Sequence, residues 1–328
     1  MKNIALVVLN WNGKDLLEKF LPSLINYSPQ AKIYVADNAS TDTSVTFIKQ
    51  NFPTVEVIIN ESNFGYAQGY NEALKHVNEP ILGLINSDIE VTPNWLDPIE
   101  NVFKSKNEVA IVQPQIADYK NKEKYEYAGA AGGFIDKFGF AYCRGRLFDT
   151  LEPKDIYSSD YIFWASGACM FIRKNVFNEL KGFDSDFFAH QEEIDFCWRA
   201  YNLGYKVYYC AESTVYHVGG ATLQQGNPQK TFLNFRNNLC MMAKNLPANQ
   251  LFPIIFVRLS LDGIAGVRFL LQGKLSHLWA VFTSHFAFYS LLPKMLKKRN
   301  TLQSKDYYKV NSIVFKYFVN GIKKYKDI

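Results

Sequence analysis

The sequence predicts an α/β fold, a doubly wound and mostly parallel sheet flanked by helices, on three observations. Short apolar runs recur at Ile4 to Leu9, Ile33 to Ala36, Val55 to Ile59 and Ile81 to Ile85, with the length and β-branched content of buried strands. Stretches with helix-start signals separate them, so strand and helix alternate. Three of the runs stop at polar residues, Asn10, Asp37 and the Asn86, Ser87, Asp88 triplet. Ligands of such sheets gather beyond the carboxyl ends of the strands, so these residues are expected to line one crevice.

The first run ends in Asn10, Trp11, Asn12 and Gly13. Trp11 offers a flat face for a base. The second ends at Asp37, an acceptor for a base or ribose, and Ser40 to Thr43 supply caps for a helix carrying Val45, Phe47 and Ile48. After the third run, Asn63 to Asn71 leads into a helix that continues through Val77. Gly65 and Gly69 either let backbone approach a diphosphate or allow close helix packing, and their spacing is not the dinucleotide fingerprint. In the fourth run Asp88 can hold a divalent cation against a diphosphate, because hard cations take oxygen ligands and share their shell with phosphates. The plainer alternative is a turn that caps the helix after Thr92 and Pro93.

A further strand is expected at Val109 to Val112, ending by Pro114. From Ala117 to Asp160 the periodicity dissolves into charged and glycine-rich sequence, as in a binding loop or a set of short hairpins. Order returns with a strand in Trp164 to Ile172 and a helix near Asn175 to Leu180. A helix starting near Gln191 puts Glu192, Glu193 and Asp195 in its first turn, where its dipole favours carboxylates, and sets Asp195 to pair with Arg199. Glu193 heads the apolar face formed by Phe196, Cys197, Ala200 and Tyr201, so it points inward, and a desolvated carboxylate is a better proton acceptor near neutral pH. Val207 to Tyr209 and Thr214 to Tyr216 read as two short strands. His217, after the second, is a surface or core histidine or a metal or phosphate contact.

Gln229 to Lys244 reads as a helix whose Arg236 and Asn237 can close over a donor. From Leu251 to Leu292 the chain is strongly apolar, but Arg258, Asp262 and Arg268 interrupt the longest run and argue against a membrane span. Ten basic residues against two acidic ones from Lys294 onward leave the rest of this +5 chain acidic by three charges. Apolar helices backed by Lys294, Lys297, Lys298 and Arg299 suit an anionic inner membrane surface; a helical cap or a dimer contact is the alternative. Five cysteines without close pairs exclude a disulfide framework and a thiolate zinc site. No secretory signal precedes the first strand, so a cytoplasmic, peripheral inner-membrane location is expected. No nucleic-acid reader motif is present.

Taken together, NWN, VADNASTD, NFGYAQGYN, LINSDIEV, ASGACMFIRK, FDSDFFAHQEEIDFCWR and VYHVGG resemble the family 2 glycosyltransferases of the GT-A fold, and within them bacterial rhamnosyltransferase-like enzymes of surface polysaccharide assembly. The resemblance runs from about Ile4 to Gly220. It implies a Rossmann-like GT-A domain over 1–225 and a helical region over 226–328 on the membrane or acceptor side. It implies nucleotide-sugar contacts at Asn10, Trp11, Asp37, Asn63 and Asn86, with Asn86 replacing the first acid of the Asp-x-Asp type motif. It further implies Mn2+ or Mg2+ on Asp88 with help from His217, and Glu193 as general base with Glu192 as fallback. The reaction implied is inverting transfer from a UDP- or dTDP-sugar to a saccharide or lipid-linked acceptor. A nucleotidyltransferase and a non-catalytic nucleotide-sugar-binding scaffold are the competing readings. The former needs a basic glycine-rich loop after the first strand, where only Lys14 stands.

Overall fold

A computed structural model describes residues 2–126, 129–219 and 226–328. Ala128 of the glycine-rich stretch, Gly220 of the VYHVGG motif and the 225/226 boundary fall wholly or partly outside them. The predicted strands form at β1 (Ile4–Asn10), β2 (Ala31–Asp37), β3 (Glu56–Ile59) and β4 (Ile81–Asn86), separated by α1 (Lys14–Asn26), α2 (Ser44–Asn51) and α3 (Gly65–Ala73). All are parallel, in the order β3-β2-β1-β4. Residues of β1 alternate between two apolar clusters, Ala5 and Val7 in one, Ile4, Leu6 and Val8 in the other. That period of two buries both faces of the strand.

β4 turns at Ser87 and Asp88 into a short strand, β5 (Ile89–Val91), before α4 (Leu96–Ser105) begins. The triplet is therefore a turn between strands rather than a helix cap. β6 (Val109–Asp118) runs straight through Pro114 instead of ending there. The missing N–H is accommodated because the neighbouring strand shifts register opposite Pro114 and Gln115. That neighbour, β13 (Lys206–His217), is one long strand whose irregularity between Cys210 and Thr214 reads in sequence as a break between two short ones.

Between β6 and β13, the irregular segment forms an antiparallel four-stranded meander, β7 (Gly133–Ile135), β8 (Ala141–Cys143), β9 (Arg146–Leu147) and β10 (Thr150–Leu151). β11 (Asp160–Ile162) and β12 (Cys169–Arg173) follow, then α5 (Lys174–Glu179) and α6 (Glu192–Asn202). β12 lies antiparallel between β4 and β6, so the completed sheet, β3-β2-β1-β4-β12-β6-β13-β11 with β5 on β13, is mixed. α1 and α4 pack on one face through Leu17, Leu21, Ile99 and Phe103, while α3 and α6 cover the other through Tyr70, Ile194 and Phe196.

α7 (Pro228–Asn245) packs on α6, and α8 (Leu251–Leu271) and α9 (Leu275–Lys297) continue the helical layer. After α10 (Ile313–Phe318) the tail returns to the meander. The Ile313 N–H donates to Asp136 at 2.9 Å, and the Tyr325 N–H to Glu152 at 3.0 Å. One apolar cluster runs from β1 to α10, so the C-terminal helices share the core of the sheet.

The join between α6 and α7 is ionic. Lys244 Nζ sits 2.6 Å from Asp184 and 2.8 Å from Asp195, all three buried, and Asp195 also takes Arg199 at 2.8 Å and Asn245 at 2.8 Å. Burial alone would raise the Asp184 carboxyl, but Lys244 and Lys298 outweigh it and hold it well below the usual carboxylate range. Removing the cation leaves each buried carboxylate with one remaining cation, Lys298 at Asp184 and Arg199 at Asp195. Lys244→Met is expected to destabilise the protein by about 1.5–3 kcal/mol, measured as a fall in the urea midpoint; a midpoint equal to wild type contradicts the assignment.

Candidate functional site

Asn10 and Asp37 end adjacent parallel strands in register. Both are 1% exposed. The Asn10 amide donates to Asp37 Oδ2 at 2.8 Å, and Ser40 donates to Asp37 through its N–H and hydroxyl at 2.8 and 2.7 Å. Asp37 thus accepts one hydrogen bond on Oδ1 and two on Oδ2 inside the protein and braces the loops after β1 and β2. Asn12 completes that brace, accepting the Thr41 N–H at 2.7 Å. Trp11, 52% exposed, is the group of this cluster that faces outward. Asn63 is exposed, and its side chain accepts the Gly65 N–H at 3.1 Å at the start of α3. Gly65 and Gly69 follow the packing alternative. Gly65 has φ +70°, and a Cβ there would lie 2.7 Å from the Phe188 carbonyl; at Gly69 it would lie 2.8 Å from the Asn38 amide.

Asp88 is 2% exposed, in the turn just beyond β4. Its Oδ1 stands 3.1 Å from His217 Nε2 and its Oδ2 accepts the Gly219 N–H at 3.1 Å; β5 and β13 pair through Ile89 and His217, which fixes this meeting. On the other side of the ring, His217 Nδ1 is 3.5 Å from Glu126. Burial would lower the imidazole pKa, but the flanking Asp88 and Glu126 outweigh it and raise it to about 10. Glu126 comes from the charged segment after β6, which carries no pattern that singles it out.

Asp88 and His217 fit a divalent cation. Their donor atoms are separated by close to the distance between adjacent corners of an octahedral shell with bonds of about 2.1 Å, and Glu126 stands where a second carboxylate orients a metal-bound imidazole. Among the described residues there is no cluster of three or more His, Cys, Asp or Glu arranged for a metal. The remaining ligands would have to come from phosphate and water, the pattern of a cation that binds with its substrate.

Glu193 begins α6 together with Glu192. Glu192 is 4% exposed and Glu193 half-buried, and each has an Oε2 with no hydrogen-bond partner. Desolvation pushes both carboxyls up, Glu193 to about 7 and Glu192 further, the latter also by the charge of Glu193. The segment leading to them is strained, with positive φ at Phe188 (61°), His190 (70°) and Gln191 (74°). Such geometry persists where the surroundings over-determine it. Here α7 does so: the Asn237 amide donates to the carbonyls of Phe187, Ala189 and His190 at 2.8–2.9 Å, and Arg236 donates to those of Asp186 and Phe187. Arg236 and Asn237, expected to close over a donor, hold this segment.

Two contacts tie α6 to the strand ends. The Asn86 N–H donates to Ala168 at 2.9 Å and the Tyr66 hydroxyl to Gly167 at 2.7 Å, while the same 165–168 stretch reaches α6 through the Ala165 N–H and Cys197 Sγ. Burial raises the Cys143 thiol to about 12, and the charges of Glu126 and Glu193 both add to the rise, so the two acids share one neighbourhood. The structure thus groups Asn86, Asp88, His217 and Glu193 around the carboxyl ends of the sheet, and Asn10, Trp11 and Asp37 at the adjoining ends of β1 and β2.

Residues 5–181 match the family described as glycosyl transferase family 2. The low-salt glycan biosynthesis hexosyltransferase Agl10 of Haloferax volcanii is 20% identical over 85% of this chain and 88% of its own. The N-acetylglucosaminyl-diphospho-decaprenol L-rhamnosyltransferase of Mycobacterium tuberculosis is 22% identical over 65% of this chain and 75% of its own. The rhamnosyltransferase WbbL of Escherichia coli is 22% identical over 63% of this chain and 80% of its own. Among solved structures, S. aureus TarS 1-349 in complex with UDP-GlcNAc superimposes with TM-score 0.58 at 14% identity, over 91% of this chain and 84% of that one. GalNAc-T7 with UDP, GalNAc and Mn2+ gives 0.58 at 17% identity over 76% of this chain, which spans about half of that protein (49%). These likenesses identify the mixed sheet with its flanking helices as the GT-A fold.

The raised carboxyls give a sign for pH. The folded chain binds more protons than the unfolded one between about pH 4.3 and the raised Glu193 value, so that contribution to stability is full below this window and lost as pH rises through about 7. Urea unfolding of wild type is expected to weaken across it relative to Glu193→Gln, and carboxyl NMR to place the Glu193 midpoint near 7; a midpoint in the ordinary glutamate range contradicts the desolvated site.

Proposed function

Because the chain belongs to glycosyl transferase family 2, and so is a glycosyltransferase, we propose that it transfers a sugar with inversion from a UDP- or dTDP-sugar to a hydroxyl of a saccharide or lipid-linked acceptor in surface polysaccharide assembly. The observation that carries the reading is a desolvated Glu193 carboxylate, one oxygen of which has no hydrogen-bond partner, in the same neighbourhood around Cys143 as Glu126, which flanks the Asp88–His217 pair. The names of its relatives, rhamnosyltransferases and one with a decaprenol-linked acceptor among them, support the acceptor class.

In this reading Trp11 stacks on the base, while Asn10 and Asp37 shape the nucleoside subsite by bracing its loop. Asn63 and Asn86 border the ribose and phosphates. Asp88 and His217 would hold Mn2+ or Mg2+, which when bound neutralises the departing diphosphate and orients it. Cation binding requires His217 to give up its proton. Glu193 takes the proton of the acceptor hydroxyl as that oxygen bonds to the anomeric carbon, and the bond from that carbon to the diphosphate oxygen breaks on the opposite side. Glu192, more deeply buried, serves as the reserve base. Residues 1–225 carry the donor chemistry and 226–328 the acceptor side. We place the enzyme on the cytoplasmic face of the inner membrane, against its anionic lipids; among the described residues no helix is long and apolar enough to cross a membrane.

The nucleotidyltransferase reading has a single cation after β1, Lys14, which pairs with Glu18 and Asp15 at the surface of α1. Glu193→Gln separates the enzyme from a binding scaffold. Turnover is expected to fall by about 10²–10⁴ while UDP-sugar binding by thermal shift persists, and undiminished turnover overturns the assigned base. Asp88→Asn is expected to abolish the extra rise in Tm that Mn2+ adds to UDP; an unchanged rise places the cation elsewhere.

A further inference from the structure

The α8–α9 hairpin is apolar on both of its sides. Its protein-facing side joins the core through Leu251, Ile254, Phe288 and Met295 and also carries a cluster of paired polar groups. Arg258 and Asp262 are buried and paired at 2.8 Å, His285 Nε2 lies 3.4 Å from Asp262, Arg258 donates to Asn238 and Phe138, and Ser284 is fully buried. Its outer side is apolar along its length. On α8, Phe252, Phe256 (74% exposed), Ile264, Val267 and Leu271 (83%) recur at helical spacing; on α9, Leu275, Trp279 (64%), Phe282, Phe286 and Tyr289 do the same. Trp279, Phe282 and Phe286 touch in sequence, with centroids 5.3 and 4.8 Å apart. A 23-residue helix is about 34 Å long, and exposed apolar side chains recurring along such a length are the kind of surface that marks a membrane or partner contact.

The charges around it choose the occupant. Asp262 is the only acid between Leu251 and Asn300 and it is buried, whereas Arg268, Lys274 and Lys297 are exposed at the rim. A second copy would set cation against cation. An anionic bilayer complements both the apolar face and its rim. Three of the four cations that the sequence suggests as the anchor are paired within the protein: Lys294 with Asp186 at 2.6 Å, Lys298 with Asp184 and Asp186, and Arg299 with the carbonyls of Ala243 and Leu246, to which it donates. The hairpin tip also adjoins the site, through Thr231 Oγ1 and His277 Nδ1 at 2.8 Å, one residue from Lys230, whose charge feels Glu126.

We propose that the α8–α9 hairpin is a monotopic anchor that inserts its Phe256, Leu271, Trp279 and Phe286 side into the acyl boundary of an anionic bilayer, holding the cleft mouth at the headgroups. This deepens, and rests on, the membrane reading above. Insertion carries the affinity, with charge as a supplement. The test is flotation of the full chain with vesicles of phosphatidylcholine alone or with about one third phosphatidylglycerol, at low salt and in about 1 M NaCl. Wild type is expected to float with the anionic vesicles and to stay bound in high salt. Combined Phe256→Ser, Trp279→Ser and Phe286→Ser is expected to cut binding at least about tenfold with the Mn2+ and UDP thermal shift intact, which shows that the variant is folded. Wild type that does not float, that is released by salt, or that forms a dimer broken by the triple variant overturns the anchor. Flotation without any donor-dependent thermal shift supports the anchor and counts against the nucleotide-sugar reading.

Discussion

The buried Lys244 ammonium between Asp184 and Asp195 is the constraint on which the rest depends. A charge removed from water is tolerated only when paired and hydrogen-bonded, and here one cation answers two carboxylates from the two ends of a twelve-residue stretch. Between those ends lie the left-handed residues Phe188, His190 and Gln191 and the start of α6. Asn237 and Arg236 fasten the same stretch from α7. The strained backbone then presents Glu192 and Glu193 where water is scarce, and their raised proton affinity is a consequence of that placement.

The opposite wall is set by strand ends. Parallel register brings Asn10 beside Asp37, and the pairing of β5 with β13 brings Asp88 to His217. Each buried carboxylate there has a specific partner, which keeps the wall rigid before any ligand arrives. Among the described residues, Glu192 and Glu193 are the pair at the start of α6 that each keep a buried carboxylate oxygen without a hydrogen-bond partner. A site prepared to neutralise one charge and accept one proton suits a reaction that expels a diphosphate while deprotonating a hydroxyl.

Much of this was legible in the sequence because it rests on local pattern. Buried runs ending in polar residues located Asn10, Asp37 and Asp88, whereas the helical spacing that singled out Glu193 as the inward acid missed that Glu192 is the more buried of the two. What escaped depends on contacts between distant residues. That Asp37 braces two loops follows from Asn10 and Ser40 folding onto it. β6 passes Pro114 because β13, some 100 residues on, shifts register there. Glu126 has value only because His217 lands beside it. Lys294 and Lys298 read as a free basic cluster until Asp184 and Asp186 arrive from the other side of α7. The apolar content of 251–292 was plain, but its division between a core-facing side that also holds Arg258 and Asp262 and an exposed aromatic side shows only once α8 and α9 are packed.

The central claim is that Asp88 and Glu193, far apart in the chain, serve one sugar diphosphate. The most direct measurement is a crystal structure with Mn2+ and a non-transferable UDP-sugar analogue, the metal located by anomalous scattering. The account predicts Mn2+ on Asp88 and His217, and the Glu193 carboxylate on the side of the anomeric carbon away from the diphosphate. Mn2+ bound elsewhere, or Glu193 walled off from the sugar, would contradict it.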